Sequence, residues 1–201
     1  MSADTTRRSL ILALAAIPAA AALPGAAAAL SVGQARELVD RVVGEINGVI
    51  NSGRSVNAMI ADFERIFARY ADVPVIARSV LGPAARSASA AELAAYTEAF
   101  RGYMARKYGK RFREFAGAQI EVTGAQPVRT YFEVVSVARL RGQSPFEVRW
   151  QVSDRSGRDL FFNLIIEGVN MLAVERQEIG AMLDRRRGSL AAMTEDLRRA
   201  G

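Results

Sequence analysis

From Ser31 to about Gly117 the apolar residues recur at steps of three and four, and beyond that point they alternate. Val39, Val42, Ile46 and Ile50 form one helical stripe. Val56, Met59, Ile60, Phe63, Ile66, Phe67 and Tyr70 form a second, and Asn51-Ser52-Gly53 between them reads as a turn. Val73-Pro74 opens a short helix that ends at Leu81-Gly82-Pro83, where glycine suits the position just past the last turn and proline forbids continuation. Ser89-Ala90-Ala91-Glu92 is a capping box, in which the serine hydroxyl and the glutamate carboxylate satisfy each other's free N–H groups. The long helix it opens carries Leu93, Tyr96, Phe100, Tyr103, Met104, Phe112 and Phe115 as an aromatic-rich stripe. Arg106, Lys107, Lys110, Arg111 and Arg113 gather near its C-terminal end, which the helix dipole favours.

After Gly117 the predicted strands are Gln119–Thr123, Val128–Arg141, Ser144–Ser153, Arg158–Glu167 and Val169–Arg176, joined by turns at Arg141-Gly142-Gln143, Asp154-Arg155-Ser156-Gly157 and Gly168. Phe146, Val148, Trp150 and Val152 alternate with Glu147, Arg149, Gln151 and Ser153, the pattern of a sheet with one covered and one wet face. Val128, Thr130, Phe132, Val134 and Ala138 supply a matching face on the neighbouring strand. One last helix runs from about Gln177 to Arg199. This order predicts an α+β fold: several N-terminal helices wrapped on a curved antiparallel sheet of four to five strands, plus a C-terminal helix.

The first 29 residues read differently. Thr6-Arg7-Arg8-Ser9 precedes an apolar stretch from Leu10 to Ala22, and Ala26-Ala27-Ala28 offers the small residues of a cleavage site. Residues 1–29 are therefore expected to be an export signal, of either the twin-arginine or the general secretory kind, and residues 30–201 a single domain in the periplasm. The chain has no cysteine and no histidine, so it excludes disulfides, thiol nucleophiles, imidazole bases and His or Cys metal sites. Half of its 201 residues are hydrophobic. Its formal charge of +6 becomes +5 once Asp4, Arg7 and Arg8 leave with the signal, and lysine occurs only at 107 and 110. Such a charge suits acidic headgroups or an acidic docking face, or is simply a solvated surface.

Candidate chemistry is sparse. The carboxylates are scattered, with no pair spaced for acid–base work, and no glycine-rich phosphate loop follows any strand. Arg185-Arg186-Arg187 is the sharpest charge cluster, read either as a solvated helix face or as a patch for an acidic partner or membrane surface. The aromatic stripes and the inward sheet face are generous for a domain of this length. Either they fill one large core, or they face each other across a cavity.

The stretches Phe63-Glu64-Arg65-Ile66-Phe67-Ala68-Arg69-Tyr70-Ala71-Asp72, Ile76 to Gly82, Ala85-Arg86-Ser87-Ala88-Ser89, Phe100 to Tyr108 and Ile166-Glu167-Gly168-Val169, followed by Arg176 and a closing amphipathic helix, occur in an order that resembles the MlaC, or toluene-tolerance, family of periplasmic phospholipid-binding proteins. The sequence departs from the family pattern at Ala85, Asn163, Asn170 and Ile179, which marks a divergent branch; some relatives are associated with hopanoids. The resemblance implies a monomeric carrier without cofactor, catalytic residue or metal. It would hold the acyl chains of a phospholipid or related membrane lipid in an apolar cavity between sheet and helices. Its partners would be an inner-membrane ABC transporter complex and an outer-membrane lipoprotein complex, with no nucleic acid involved. The expected lipid-binding lining is Phe63, Phe67, Val80, Leu81, Phe100, Tyr103, Met104, Phe132, Val134, Val148, Trp150, Val169, Met171, Ile179 and Leu183, with Arg185, Arg186 and Arg187 as the docking patch. Met59, Met104, Met171 and Met182 are adaptable enough to fit chains of different length. Two other classes compete: an exported non-metal enzyme using carboxylates on a cone-shaped α+β fold, and a docking module with a solid core.

Overall fold

A computed structural model describes residues 29–201; the expected export signal, but for its last residue, lies outside them. Four helices come first: α1 (Val32–Ile50), α2 (Val56–Tyr70), α3 (Val73–Leu81) and α4 (Ala90–Gly109). Each starts where a short polar side chain can take up a free backbone N–H. Ser31 and Gln34 form a capping box at α1, Ser55 caps α2, Asp72 caps α3 with Pro74 in its first turn, and Ser89 with Glu92 forms the expected box at α4. Short 3-10 segments follow α3 (Gly82–Arg86) and α4 (Lys110–Phe115).

The strands β1 (Gln119–Val128), β2 (Tyr131–Arg139), β3 (Phe146–Ser153), β4 (Leu160–Ile166) and the two-residue β5 (Val169–Asn170) form one antiparallel meander in sequence order. Val134 stands opposite Trp150, and Trp150 opposite Leu164. The inward face therefore carries Val134, Ser136 and Ala138 beside Val148, Trp150 and Val152, all buried. Ser136 is the polar member of that face. Its hydroxyl accepts from the Trp150 indole N–H at 2.9 Å and donates to the Val148 carbonyl at 3.3 Å, so neither polar group is stranded.

Helix α1 lies along the start of β1, where the sheet would otherwise end in unpaired backbone. The Asn47 amide donates to the Ile120 carbonyl at 2.8 Å and accepts from the Ile120 N–H at 3.0 Å. One turn later the Asn51 amide does the same for the Ala118 carbonyl and the Gly117 N–H. Two asparagines on one helix face thus stand in for a neighbouring strand. Helix α2 packs on α4, and the remaining helices, α5 (Met171–Arg185) and α6 (Leu190–Arg199), pack on α3 and α4.

Several boundaries differ from the sequence reading: β1 runs on to Val128 instead of ending at Thr123, and the long helix expected to carry Phe112 and Phe115 ends at Gly109, which leaves both on the 3-10 segment. The strand expected from Val128 to Arg141 is broken at Arg129-Thr130, a tight turn between β1 and β2 with Arg129 at φ 45°. No Asn-Gly or Asp-Gly pair announces that turn. The strand expected from Val169 to Arg176 ends at Asn170, because the Asn170 side chain accepts from the Ala173 N–H and starts α5 there. Asn163 reinforces the switch: its carbonyl oxygen accepts from the Leu172 N–H at 3.2 Å. The single final helix is two. Arg187 and Gly188 adopt φ 52° and 80°, the Gly188 N–H reaches back to the Leu183 carbonyl at 3.0 Å, and Ser189 caps α6.

The contact between α2 and α4 is unusually close. A Cβ placed on Gly109 would lie 2.7 Å from the Ile60 Cα, a backbone atom that cannot swing aside. Gly109→Ala should therefore destabilise the fold by about 1–3 kcal/mol through overpacking. Gly44→Ala, in α1 with no atom within 4 Å of the new methyl group, should instead stabilise by about 0.5–1 kcal/mol. Thermal or urea unfolding of the two variants checks both signs.

Candidate functional site

The helices do not cover the inward sheet face completely. A pocket of about 480 Å³ opens between α1, α2, the C-terminal end of α4 with its 3-10 extension, and strands β3 and β4. Val42, Ile46 and Ile50 of α1 form one side, and Phe63, Ile66 and Phe67 of α2 the next. Met104, Tyr108, Phe112 and Phe115 continue the wall. Val148, Trp150, Phe161, Leu164 and Ile166 form the sheet side, with Ala138, Leu140 and Phe146 at the β2–β3 end and Val169 and Met171 beyond β4.

Rings brace one another around the space. Phe63 stacks on Phe67 with centroids 5.8 Å apart and meets Phe112 edge-on at 5.4 Å, while Trp150 meets Phe161 edge-on at 5.4 Å. The polar atoms of the lining aromatics are turned to partners of their own: the Trp150 N–H to Ser136, and the Tyr108 hydroxyl to Glu175. The ionic side chains that remain on the lining are Arg111 and Glu167. Among the described residues no cluster of three or more carboxylates is placed to hold a metal ion.

Behind the Tyr108 wall lies a polar knot that joins α4 to α5, with Glu175 buried, Lys107 partly buried and Glu178 at the surface. The Lys107 ammonium donates to Glu175 at 2.8 Å and also to Glu178, while Tyr108 donates to Glu175 and Tyr103 donates to Glu178 at 2.6 Å. Glu175 is only 2% exposed, and its second oxygen, Oε2, has no partner. Burial, reinforced by the neighbouring carboxylates, pushes the phenols of Tyr103 and Tyr108 well above their ordinary value. Burial opposes the charge of Lys107, but its hydrogen bonds to Glu175 and Glu178 outweigh it and raise its pKa. For Glu178 burial acts upward, and the bonds from Lys107 and Tyr103 outweigh it and lower the pKa.

Of the sequence-derived lining residues, Phe63, Phe67, Met104, Val148, Trp150, Val169 and Met171 stand together around the pocket. Phe100, Tyr103 and Ile179, with Val80 and Leu81 on α3, are buried in the part of the hydrophobic core where the helices α3 to α6 meet, and they do not line the pocket. Phe132 and Val134 lie on the inward sheet face but do not line the pocket: Val134 stands opposite Trp150 and Phe132 opposite Val152, away from the Ala138–Phe146 pair that does. Leu183 is half-buried in the last turn of α5. The arginine run does not form a helix face. Arg185 ends α5, Arg186 is held by Asp196 at 2.5 and 2.6 Å, and Arg187 occupies the turn. The α1 stripe, Phe112, Phe115 and Phe146 are visible in the sequence as apolar positions, but periodicity does not say which of them face a void. Arg111 stands out in the sequence as part of a basic cluster and Glu167 as part of the Ile166–Val169 stretch, but neither signal places them on a pocket lining.

The sequence profile of a protein family described as MlaC protein matches residues 36–199. The fold is similar to a solved structure described as the phospholipid-binding protein from Ralstonia solanacearum in complex with a phospholipid. That likeness has a TM-score of 0.70 at 13% sequence identity and covers 82% of this chain and 95% of the other.

The phenols of this knot set a pH dependence. Phenols whose folded pKa is raised contribute stability that is fully present below the unfolded value of 10.0 and is lost as the pH rises above it. The melting temperature should therefore fall above about pH 10. The fall should be shallower in a Tyr103→Phe/Tyr108→Phe variant, measured by thermal denaturation across pH 8 to 12; an equally steep fall would place the alkaline weakness elsewhere.

Proposed function

The chain belongs to the MlaC family, and from that premise we propose that it is a periplasmic carrier of phospholipid. In this reading the acyl chains lie in the pocket between α2, the end of α4 and the sheet, and the headgroup stays near the rim. The carrier would move lipid between an inner-membrane ABC transporter complex and an outer-membrane lipoprotein complex. The observation that carries the proposal is the pocket itself: about 480 Å³ of space lined by aromatic and aliphatic side chains. That volume lies within the range of about 300–1,000 Å³ usual for ligand sites. The relative from Ralstonia solanacearum, described as holding a phospholipid, supports the same reading.

The energetics suit exchange. At about 0.8 kcal/mol per methylene, burying one long chain out of water gains on the order of 10 kcal/mol. Leaving a bilayer gives back most of that, so transfer between membrane and pocket runs close to neutral. A wall without ion pairs avoids the desolvation of charged groups at each exchange. Met104 and Met171 supply adaptable surface at two points of the lining. The enzyme alternative has no support in this geometry, because Glu167 is the single carboxylate on the lining and no second acid or base stands beside it.

Within this proposal the pocket-lining part of the expected set, Phe63, Phe67, Met104, Val148, Trp150, Val169 and Met171, touches lipid. The residues of the helical core, Phe100 and Tyr103 among them, hold the scaffold. Arg185 and Arg187 remain the docking candidates, Arg186 being engaged by Asp196.

Incubation with vesicles containing labelled phospholipid, followed by re-isolation, separates these roles. Phe146→Asp, a half-buried position on the pocket wall, should lower the label carried by severalfold while most of the protein stays folded. Phe100→Ala should chiefly lower stability, by about 3–5 kcal/mol. Equal loss of folding and label in Phe146→Asp would make that wall a solid core. Charge reversal at Arg185 and Arg187 should slow delivery to acceptor complexes with the label per protein retained, and loss of the label would contradict the docking role.

A further inference from the structure

Two side chains of opposite charge stand on an otherwise apolar lining, and they come from different elements. Arg111 belongs to the 3-10 segment after α4, and Glu167 to the turn between β4 and β5. Both are exposed, so they mark the mouth of the pocket rather than its depth. They do not neutralise each other: among the described residues neither side chain makes an ion pair or a hydrogen bond. Arg65, Arg101, Arg149 and Arg186, by contrast, each hold an acid.

The backbone at Glu167 adds an independent observation. Ile166 pairs with Val169, so Glu167-Gly168 is a two-residue hairpin loop, and both residues have positive φ, 50° and 79°. Such a loop favours asparagine or glycine at its first central position, and a glutamate gains nothing there from the backbone. The turn thus presents a carboxylate at the pocket mouth against its local conformational preference.

Resting on the carrier reading above, we infer that this mouth selects a zwitterionic headgroup bearing a primary amine, that of a phosphoethanolamine lipid. The Arg111 guanidinium, a planar fork of N–H donors, takes the phosphate oxygens, and the Glu167 carboxylate accepts from the ammonium. A phosphoglycerol lipid fills only the arginine half and leaves the carboxylate facing hydroxyls near a negative phosphate. A phosphocholine lipid offers a cation without N–H donors. A diacylglycerol offers neither charge. Because both side chains are solvated, each contributes modestly and in a salt-dependent way.

The test is a loading competition on the purified protein, stripped of lipid. Vesicles contain equal amounts of phosphatidylethanolamine, phosphatidylglycerol, phosphatidylcholine and diacylglycerol with identical chains, and the loaded lipids are extracted and weighed by mass. At low salt the ethanolamine lipid should be enriched by about threefold over each of the others, the size expected of exposed charge contacts, and high salt should shrink the enrichment. Arg111→Gln should bring all three phosphate lipids toward the diacylglycerol level. Glu167→Asn, which suits the turn, should erase the advantage of ethanolamine over glycerol headgroups and leave the thermal stability equal or higher. Phosphatidylglycerol or diacylglycerol loading as well as the ethanolamine lipid in the unaltered protein, or no change in Glu167→Asn, would overturn the inference while leaving the carrier reading intact. No lipid in any arm would defeat the carrier reading and this inference with it. Soluble phosphoethanolamine that binds without displacing lipid would move the headgroup site away from the pocket and overturn the inference alone.

Discussion

The apolar inward face of the β-meander must be covered, and the rest of the structure follows from how incompletely the helices cover it. Val134, Val148, Trp150, Val152 and Phe161 present a continuous hydrophobic surface that water would penalise at about 25 cal/mol per Å². Around Val134 and Val152 the cover is tight and both residues are fully buried. Toward the Ala138–Phe146–Ile166 end the facing residues are Phe63, Phe67, Tyr108, Phe112 and Phe115, rigid rings braced on each other and on the sheet. Planar rings with two free torsions do not flow into an irregular gap as longer aliphatic chains would, so the gap persists as a pocket.

The polar features are arranged to protect that arrangement. Asn47 and Asn51 satisfy the start of β1 from the helix side, which fixes α1 as a wall of the pocket without a covering strand. The Lys107–Glu175–Glu178 knot ties α5 to α4 on the far side of Tyr108, so the phenol points away from the pocket while the ring lines it. Breaking one partner of such a buried group is costly because the other charge is then left without compensation. Charge is thereby kept behind the wall or at the mouth.

Much of the scaffold was legible in the sequence because it depends on local chemistry. The capping box at Ser89, the turn at Asn51-Ser52-Gly53 and the alternation through Phe146–Val152 each follow from side-chain types at short spacings. The boundaries that were not legible depend on partners far along the chain. The start of α5 at Met171 relies on Asn163 reaching Leu172, and an apolar run such as Met171-Leu172-Ala173-Val174 suits strand and helix alike. The Arg129-Thr130 turn uses a positive φ at a residue that does not advertise it. The candidate site was half legible for a related reason. The aromatic stripe of α4 divides: Met104 and Tyr108 turn to the pocket, while Phe100 and Tyr103 turn to the helical core. Hydrophobicity alone does not distinguish a wall from a filling, because both are apolar.

In the proposed function the space beside Trp150 and Phe63 is occupied by lipid in the working protein. Native mass spectrometry of the protein gently purified from its own cells tests this most directly, with extraction to identify any adduct. A carrier should show a stoichiometric adduct with the mass of membrane phospholipid, and Phe146→Asp should lose most of it. Apo mass alone, from protein that also takes up no lipid when mixed with vesicles, would contradict it.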